Sequence, residues 1–368
     1  MSVRSVLKVS LLLLASAAIL GVVVAAVGVE KTANAVAEAG VVAFAAVGAL
    51  TAVSLTFQSL AWMALNRPIG HRVPFRTLLQ GVVAGVAGNI LTPSTYLGGE
   101  PLKVVYVGRR TGLPYHELAG TVVLSKYIEL ISFILFFGFC TAVATVRFSA
   151  VLFDPPYTVA GVSLLVLAGG LLTFGLVMWL SLSRRWRPLT RLLKCLARVR
   201  PLRRRLVRLW RWTRQMEDQV SRVFCEEGLV SLAAFGAFVV AHAAILAKPV
   251  TFFYLGSRLH LDLGQLCLLF AASQGLLAVQ LTPSGAGTLD GGLIGTFALM
   301  GLDGADHIAQ CMAFLLCLRL WDLAIVGAGA LLGARVGAGL LSAKAPAHAA
   351  DASTEGSDDA AQPPPDPA

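Results

Sequence analysis

The sequence predicts an all-α polytopic membrane protein with six transmembrane helices, two re-entrant hairpins in an inverted repeat, and a basic amphipathic cytoplasmic helix. Three observations predict this fold class. Hydrophobic residues make up 57% of the 368 residues and charged residues only 14%, against about 25% charged residues in a soluble domain. The net charge is nevertheless +10, with the basic residues unevenly distributed along the chain. Finally, a tetrapeptide recurs in the two halves of the chain.

Six apolar runs are long enough to cross about 30 Å of hydrocarbon, which takes roughly 20 helical residues. They lie at about 9–29, 40–65, 118–146, 157–183, 228–255 and 308–335. Two shorter apolar stretches, at about 77–92 and 265–281, end in Thr-Pro-Ser followed by glycines. Their length favours re-entrant segments over full crossings. Residues 1–29 also have features of a signal peptide, but the length of the apolar run favours an uncleaved anchor.

The basic residues predict the orientation through the positive-inside rule. With both termini in the cytoplasm and the two short stretches returning to their own side, the fourteen Lys and Arg residues of 184–227 face the cytoplasm. Lys103 also falls in a cytoplasmic loop, and the outer loops contain only Lys31, Arg147 and Arg258. If either short stretch were a full crossing, a large basic cluster would move to the outer side. We expect a multi-pass protein of the inner (cytoplasmic) membrane.

The segment 184–224 predicts one or two amphipathic helices on the membrane surface. Apolar residues recur there at helical spacing with Arg and Lys between them, and Trp186, Trp210 and Trp212 suit the headgroup level. We expect this basic face to contact anionic lipid of the inner leaflet; nucleic-acid binding is the less favoured alternative. The membrane domain then spans 1–341, and the Ala-, Pro-, Asp- and Ser-rich tail 342–368 is expected to be disordered.

An internal repeat is the most informative feature of the sequence. Residues 91–94 and 281–284 both read Leu-Thr-Pro-Ser, at an offset of 190. The repeat units would be about 40–146 and 228–335. The predicted topology makes the first hairpin enter from the cytoplasm and the second from outside, so the units are inverted. Inverted repeats with broken helices are an architecture of transporters, with the site between the units near the midplane.

The hairpin tips combine residue types that suit irregular backbone inside a membrane. Proline breaks the helix, glycine permits sharp turns, and hydroxyl groups satisfy freed backbone groups. The following helix N-termini would direct free N–H groups into a cavity, which suits an anion. The alternative is a purely structural helix break. The candidate substrate-binding residues of the two tips are Thr92, Pro93, Ser94, Gly99, Glu100, Thr282, Pro283, Ser284, Gly285, Gly287 and Asp290.

Two cation–acid pairs follow the tips inside apolar runs. Lys126 and Glu129 share one helix face, and so do Arg319 and Asp322, because each pair is spaced i,i+3. A charge in hydrocarbon costs about 3 kcal/mol or more, so these groups are expected to face the bundle interior. One interpretation is that the pairs neutralise each other and join helices. The other is that the two cations bind an anionic headgroup. Lys248 is expected to extend to the outer interface.

These motifs and the span count resemble the lysylphosphatidylglycerol synthase transmembrane-domain family, also called flippase-like, over about residues 8–340. The resemblance implies a lipid translocase, or a membrane domain attached to a lipid-modifying enzyme. Substrates proposed for such proteins include aminoacylated phosphatidylglycerol, polyprenyl-phosphate-linked sugars and hopanoids. The matching positions are Pro93, Gly99, Glu100, Pro283, Gly285, Gly287 and Asp290, and more loosely Lys126, Glu129, Arg319 and Asp322.

The functional expectation is an inner-membrane lipid flippase or transporter for a lipid with an anionic or polar headgroup. The alternative is a non-transporting membrane subunit that presents lipid to a partner glycosyltransferase or transferase. Only a short tail follows Leu341, so a stand-alone member without the soluble aminoacyltransferase domain is expected. The sequence has no catalytic or metal-binding constellation, and its six cysteines form no CxxC pair, so neither an enzyme nor a cofactor is expected.

Overall fold

The structure, a computed structural model, describes residues 28–70, 72–92, 98–155, 157–184, 224–257, 259–278, 285 and 287–343, with isolated positions in 21–25 and 190–222. Within these ranges the regular structure is helical and no strand is present. Five helices are long and apolar enough to cross a membrane. They are α1 (Val29–Asn66), α4 (Tyr115–Arg147), α5 (Thr158–Ser183), α6 (Gly228–Gly256) and α9 (Ala305–Ala343).

These five helices confirm five of the six predicted spans. The first predicted span, 9–29, lies almost entirely outside the described residues, as do most of the amphipathic segment 184–224 and the tail from 344 on. The predicted start of the second span coincides with a break in α1, because Gly40 has a positive φ of 67°. Only glycine adopts that conformation readily, so the residues before it form a separate helical stretch.

Besides single helical turns at Arg67–Ile69 and Ser149–Leu152, four shorter helices stand between the long ones: α2 (Phe75–Leu91), α3 (Glu100–Thr111), α7 (Leu263–Ala278) and α8 (Thr288–Leu299). At 1.5 Å per residue, each is shorter than the roughly 30 Å of hydrocarbon that a full crossing must span. Apart from Thr92, the Thr-Pro-Ser segments between α2 and α3 and between α7 and α8 lie outside the described residues. The re-entrant course of the two hairpins therefore stays a prediction.

The long and short helices pack in a reciprocal pattern. The main contact of the bundle is between α1 and α6. Around it, α2 packs on α9 while α7 packs on α4, and α1 contacts α9 while α6 contacts α4. The short helices pair in the same way, α2 with α3 and α7 with α8. The fifth long helix, α5, lies to one side against α4 and α7, and many of its apolar side chains are exposed.

Small residues permit the close helix contacts, as is common in membrane bundles. Gly48 of α1 lies against the indole ring of Trp321 on α9, and a Cβ at position 48 would overlap that ring. The indole N–H donates to the carbonyl oxygen of Phe44 at 3.0 Å, which fixes the ring in this place. The α1–α9 contact therefore depends on the missing side chain of Gly48.

We expect Gly48→Ala to lower the apparent melting temperature of the protein in detergent by several degrees. The added methyl group would displace Trp321, and overpacking of this kind costs about 1–3 kcal/mol. Gly236→Ala is the matched control, since Gly236 is also helical but has nothing within 4 Å of a Cβ. There alanine should be neutral or stabilising, by up to about 1 kcal/mol. Equal melting temperatures for the two variants would contradict this packing.

Candidate functional site

A cavity of about 440 Å³ lies between the packed helices. Most of its wall is apolar and includes side chains of Phe133, Phe238, Phe270 and Phe314. A polar and charged band interrupts this wall and comes from seven different helices. Its members are Thr51, Ser54 and Gln58 of α1, Asn89 of α2, Lys103 of α3, Lys126 and Glu129 of α4, His242 and Lys248 of α6, Ser273 and Gln274 of α7, and Arg319 and Asp322 of α9.

The first part of the charged band is an ion-pair network that joins α3 to α4. Lys126 Nζ lies 3.1 Å from Glu100 Oε1 and 2.9 Å from Glu129 Oε2. Lys103 Nζ lies 3.1 Å from the other carboxylate oxygen of Glu100. Glu100 is the first residue of α3, and Lys126 and Glu129 are one turn apart on α4. Two acids and two lysines thus neutralise one another in a largely buried place.

The second part is a similar network that joins α8 to α9. Arg319 lies 2.9 Å from Asp290 Oδ1 and 3.8 Å from Asp322 Oδ2. Asp290 is completely buried, and its second oxygen accepts the backbone N–H of Gly287 at 2.9 Å. That hydrogen bond caps the start of α8, where Gly287 needs a positive φ of 85°.

The two networks share one arrangement along the chain, to which the first adds Lys103. In each, an acid in the first turn of a short helix binds a cation on the following long helix, and that cation binds the acid one turn further on. The sequence predicted both i,i+3 pairs, and both are present. It did not predict that Glu100 would bind Lys126 or that Asp290 would bind Arg319, because contacts between elements are not visible in the spacing. The repeat itself was the available signal for those two contacts.

Some of the remaining predicted residues are described by the structure and others lie outside the described residues. Thr92 does satisfy the backbone, since its hydroxyl donates to the carbonyl oxygen of Gly88 at 2.9 Å. Gly99 is required by close approach, because a Cβ there would overlap the carbonyl oxygen of Gly85. Gly285, like Gly287, has a positive φ. The others, Pro93, Ser94, Thr282, Pro283 and Ser284, lie outside the described residues.

The helix N-termini are less open to a ligand than expected. The backbone N–H of Gly99 donates to Asn89 Oδ1 at 2.6 Å, and that of Gly287 donates to Asp290. The first turn of α3 already contains Glu100, and that of α8 contains Asp290. Side chains of the protein itself, the amide of Asn89 at α3 and the carboxylate of Asp290 at α8, therefore accept the N–H groups where a bound anion was expected.

Two lysines were misplaced by the sequence reasoning. Lys103 was assigned to a cytoplasmic loop, but only 7% of it is exposed and it lines the cavity beside Glu100. Its i,i+3 spacing from Glu100, the same as that of Lys126 and Glu129, was the signal that could have placed it. Lys248 was expected at the outer interface, but it lines the cavity, where it interacts electrostatically with Asp322. The reasoning also gave no role to His242, which was one of six scattered histidines.

The fold and the site together define a multi-pass helical membrane protein with a charged internal cavity. The chain belongs to the lysylphosphatidylglycerol synthase TM region family, whose model matches residues 6–329. The match covers every described helix of the bundle up to the last part of α9. Neither the comparison with curated proteins nor that with solved structures gave a match. Family membership indicates a membrane function related to lipid.

We expect Arg319→Met to destabilise the protein strongly. The substitution leaves Asp290 charged, fully buried and without its cation, and loss of one partner of a buried pair costs about 3–5 kcal/mol. The double variant Arg319→Met/Asp290→Asn removes both charges and should recover part of the loss. Thermal unfolding in detergent measures both effects.

The exposed pair between Arg147 and Asp262 supplies the matched control. Its atoms are 3.5 Å apart and its side chains are 62% and 47% exposed. Exposed pairs contribute about 0–1 kcal/mol, so Arg147→Gln should change the melting temperature little. A loss for Arg319→Met no larger than that for Arg147→Gln would contradict the role of this network.

Proposed function

We propose that the protein is a lipid flippase or transporter that moves a lipid with an anionic or polar headgroup through the cavity. The observation that carries the proposal is the cavity itself, which combines an apolar wall with cations from four helices. Its volume of about 440 Å³ falls in the roughly 300–1,000 Å³ range of small-ligand sites. That is room for a headgroup, whereas acyl chains would stay against the exposed apolar faces of the helices.

The cations of the cavity suit a phosphate group, but they also bind carboxylates of the protein. The Arg319 guanidinium can bind phosphate through two parallel hydrogen bonds, and Lys126 acts as a point charge. Each of them already binds two carboxylates. A headgroup phosphate would therefore replace a carboxylate rather than fill an empty site. Such competition keeps binding weak enough for release, which a transporter needs and a storage site does not.

An inverted repeat would give the cavity alternating access to the two leaflets. In this proposal α1–α4 and α6–α9 are the two units, related by a pseudo-two-fold axis in the membrane plane. The reciprocal helix contacts and the two matching ion-pair networks support it. Both termini would be cytoplasmic in the inner membrane, with the basic segment 184–224 on anionic lipid of the inner leaflet.

The alternative is a non-transporting subunit that presents lipid to a lipid-modifying enzyme, with the segment 184–224 as its docking face. It predicts a stable partner in detergent pull-downs and no flipping by the purified protein. The proposal of a transporter, and not of an enzyme, rests on the cavity and on the absence of a catalytic motif from the sequence. Flipping by the purified protein alone separates the two hypotheses.

The test is headgroup translocation of fluorescent phosphatidylglycerol in proteoliposomes of the purified protein. We expect Lys126→Ala, Arg319→Ala and Glu100→Gln each to reduce the rate by about tenfold or more, because a charge-assisted hydrogen bond contributes about 1.5–3 kcal/mol. Arg147→Gln, at the exposed pair, should flip lipid at the wild-type rate. Each variant is compared at equal amounts of folded protein. Unchanged rates in all three cavity variants would refute the site, and no flipping by the wild type would favour the presenting subunit.

A further inference from the structure

A buried histidine faces the cavity and has no part in either ion-pair network. His242 lies on α6, is 7% exposed and lines the cavity together with Glu129. The rings of Phe133 and Phe136 lie about 6 Å from the imidazole, with centroid distances of 6.0 and 5.9 Å. The imidazole is therefore held in one orientation by its neighbours.

The hydrogen bonds of His242 assign its ring proton. Nδ1 lies 2.8 Å from the carbonyl oxygen of Phe238 and 3.1 Å from Ser132 Oγ. A carbonyl oxygen can only accept, so Nδ1 carries the proton in the neutral ring. The other nitrogen, Nε2, is then the basic one. His242 is thus a neutral base fixed at the wall of a cavity that otherwise carries full charges.

The charges around His242 balance one another when the imidazole is neutral. Among the polar groups of the cavity wall in the described part of the chain, those from α1, α2 and α7 are uncharged. The other helices contribute four cations and four acids to the cavity and its two networks. These are Lys103 and Glu100 of α3, Lys126 and Glu129 of α4, Lys248 of α6, Asp290 of α8, and Arg319 and Asp322 of α9.

An anionic headgroup entering this neutral site would leave one negative charge without compensation in a poorly hydrated place. We propose that His242 is a proton-binding site that takes up one proton together with the anionic headgroup. This inference rests on the proposed function, since it concerns the coupling of the same cavity. The proton balances the charge of the headgroup, so the cavity with its bound lipid stays electrically neutral while the headgroup moves between the leaflets.

The position of His242 also explains how the proton would help the headgroup to bind. The described electrostatic partners of His242 are Glu129, which favours the imidazolium, and Lys126, which opposes it. Protonation would draw Glu129 towards the imidazolium and weaken its contact with Lys126, which is 2.9 Å long. Lys126 would then be more available to the phosphate. The carboxylates are poorer candidates for the proton, because each of them is already held by a cation.

The experiment measures proton uptake on binding of short-chain phosphatidylglycerol to the purified full-length protein in detergent. Calorimetric titrations near pH 7 in two buffers of different ionisation enthalpy give the number of protons taken up per lipid bound. We expect an uptake that approaches one proton for the wild type and none for His242→Gln. The wild-type affinity should rise as the pH falls, by up to about tenfold per unit, because the protonated form binds.

His260→Gln is the control, because His260 is exposed and lies outside the cavity; it should keep the wild-type proton uptake. Short-chain phosphatidylcholine, which has no net charge, should bind without proton uptake. Equal uptake by His242→Gln and the wild type, or binding of phosphatidylglycerol without uptake, would overturn the inference. Flipping without uptake would overturn the proton site alone, whereas uptake without flipping would leave it standing and refute the transporter. A wild type that does not bind phosphatidylglycerol at all would count against both.

Discussion

The cost of a charge away from water is the constraint on which this structure depends. Each charged side chain at membrane depth costs about 3 kcal/mol or more unless it is paired. Glu100 and Asp290 lie in the first turns of the short helices α3 and α8, and each is neutralised by a cation on the next long helix. The ion pairs therefore fix where the short helices lie against the long ones. The walls of the cavity follow from that placement, because the paired cations also line it.

Balance of charge also shapes what the cavity can bind. The cations are held by protein carboxylates, and the helix N-termini are occupied as well. Under the proposed function, a headgroup would exchange with groups of the protein, so the binding free energy would be a difference between two similar contacts. Such an exchange would favour passage over retention, and it would make the protonation of nearby groups part of the binding equilibrium.

The sequence was sufficient for five of the six predicted spans and for the charged pairs within one helix. Hydropathy identifies a helix that crosses the membrane, and i,i+3 spacing identifies Lys126 with Glu129 and Arg319 with Asp322. The position of a single side chain within the bundle was harder to predict. Lys103 lies within the short helix α3, which has basic residues in its last turn, so a rule based on loop charge placed it in a cytoplasmic loop, although packing against Gly85 buries it. A single histidine in an apolar helix gives no periodic signal at all.

The two acids in the first turns of α3 and α8 have different binding partners, and this difference has a mechanical consequence. Asp290 divides its oxygens between the cap of α8 and Arg319, so the start of that helix stays fixed even when the arginine moves. Glu100 makes no such cap, since both of its oxygens are shared between Lys103 and Lys126. Besides the hydrogen bond from Gly99 to Asn89, the beginning of α3 is thus tied to its surroundings through lysine side chains, which are long and bend easily. The contact between α8 and α9 would therefore be the stiffer of the two, and the contact between α3 and α4 would deform more easily under the same force.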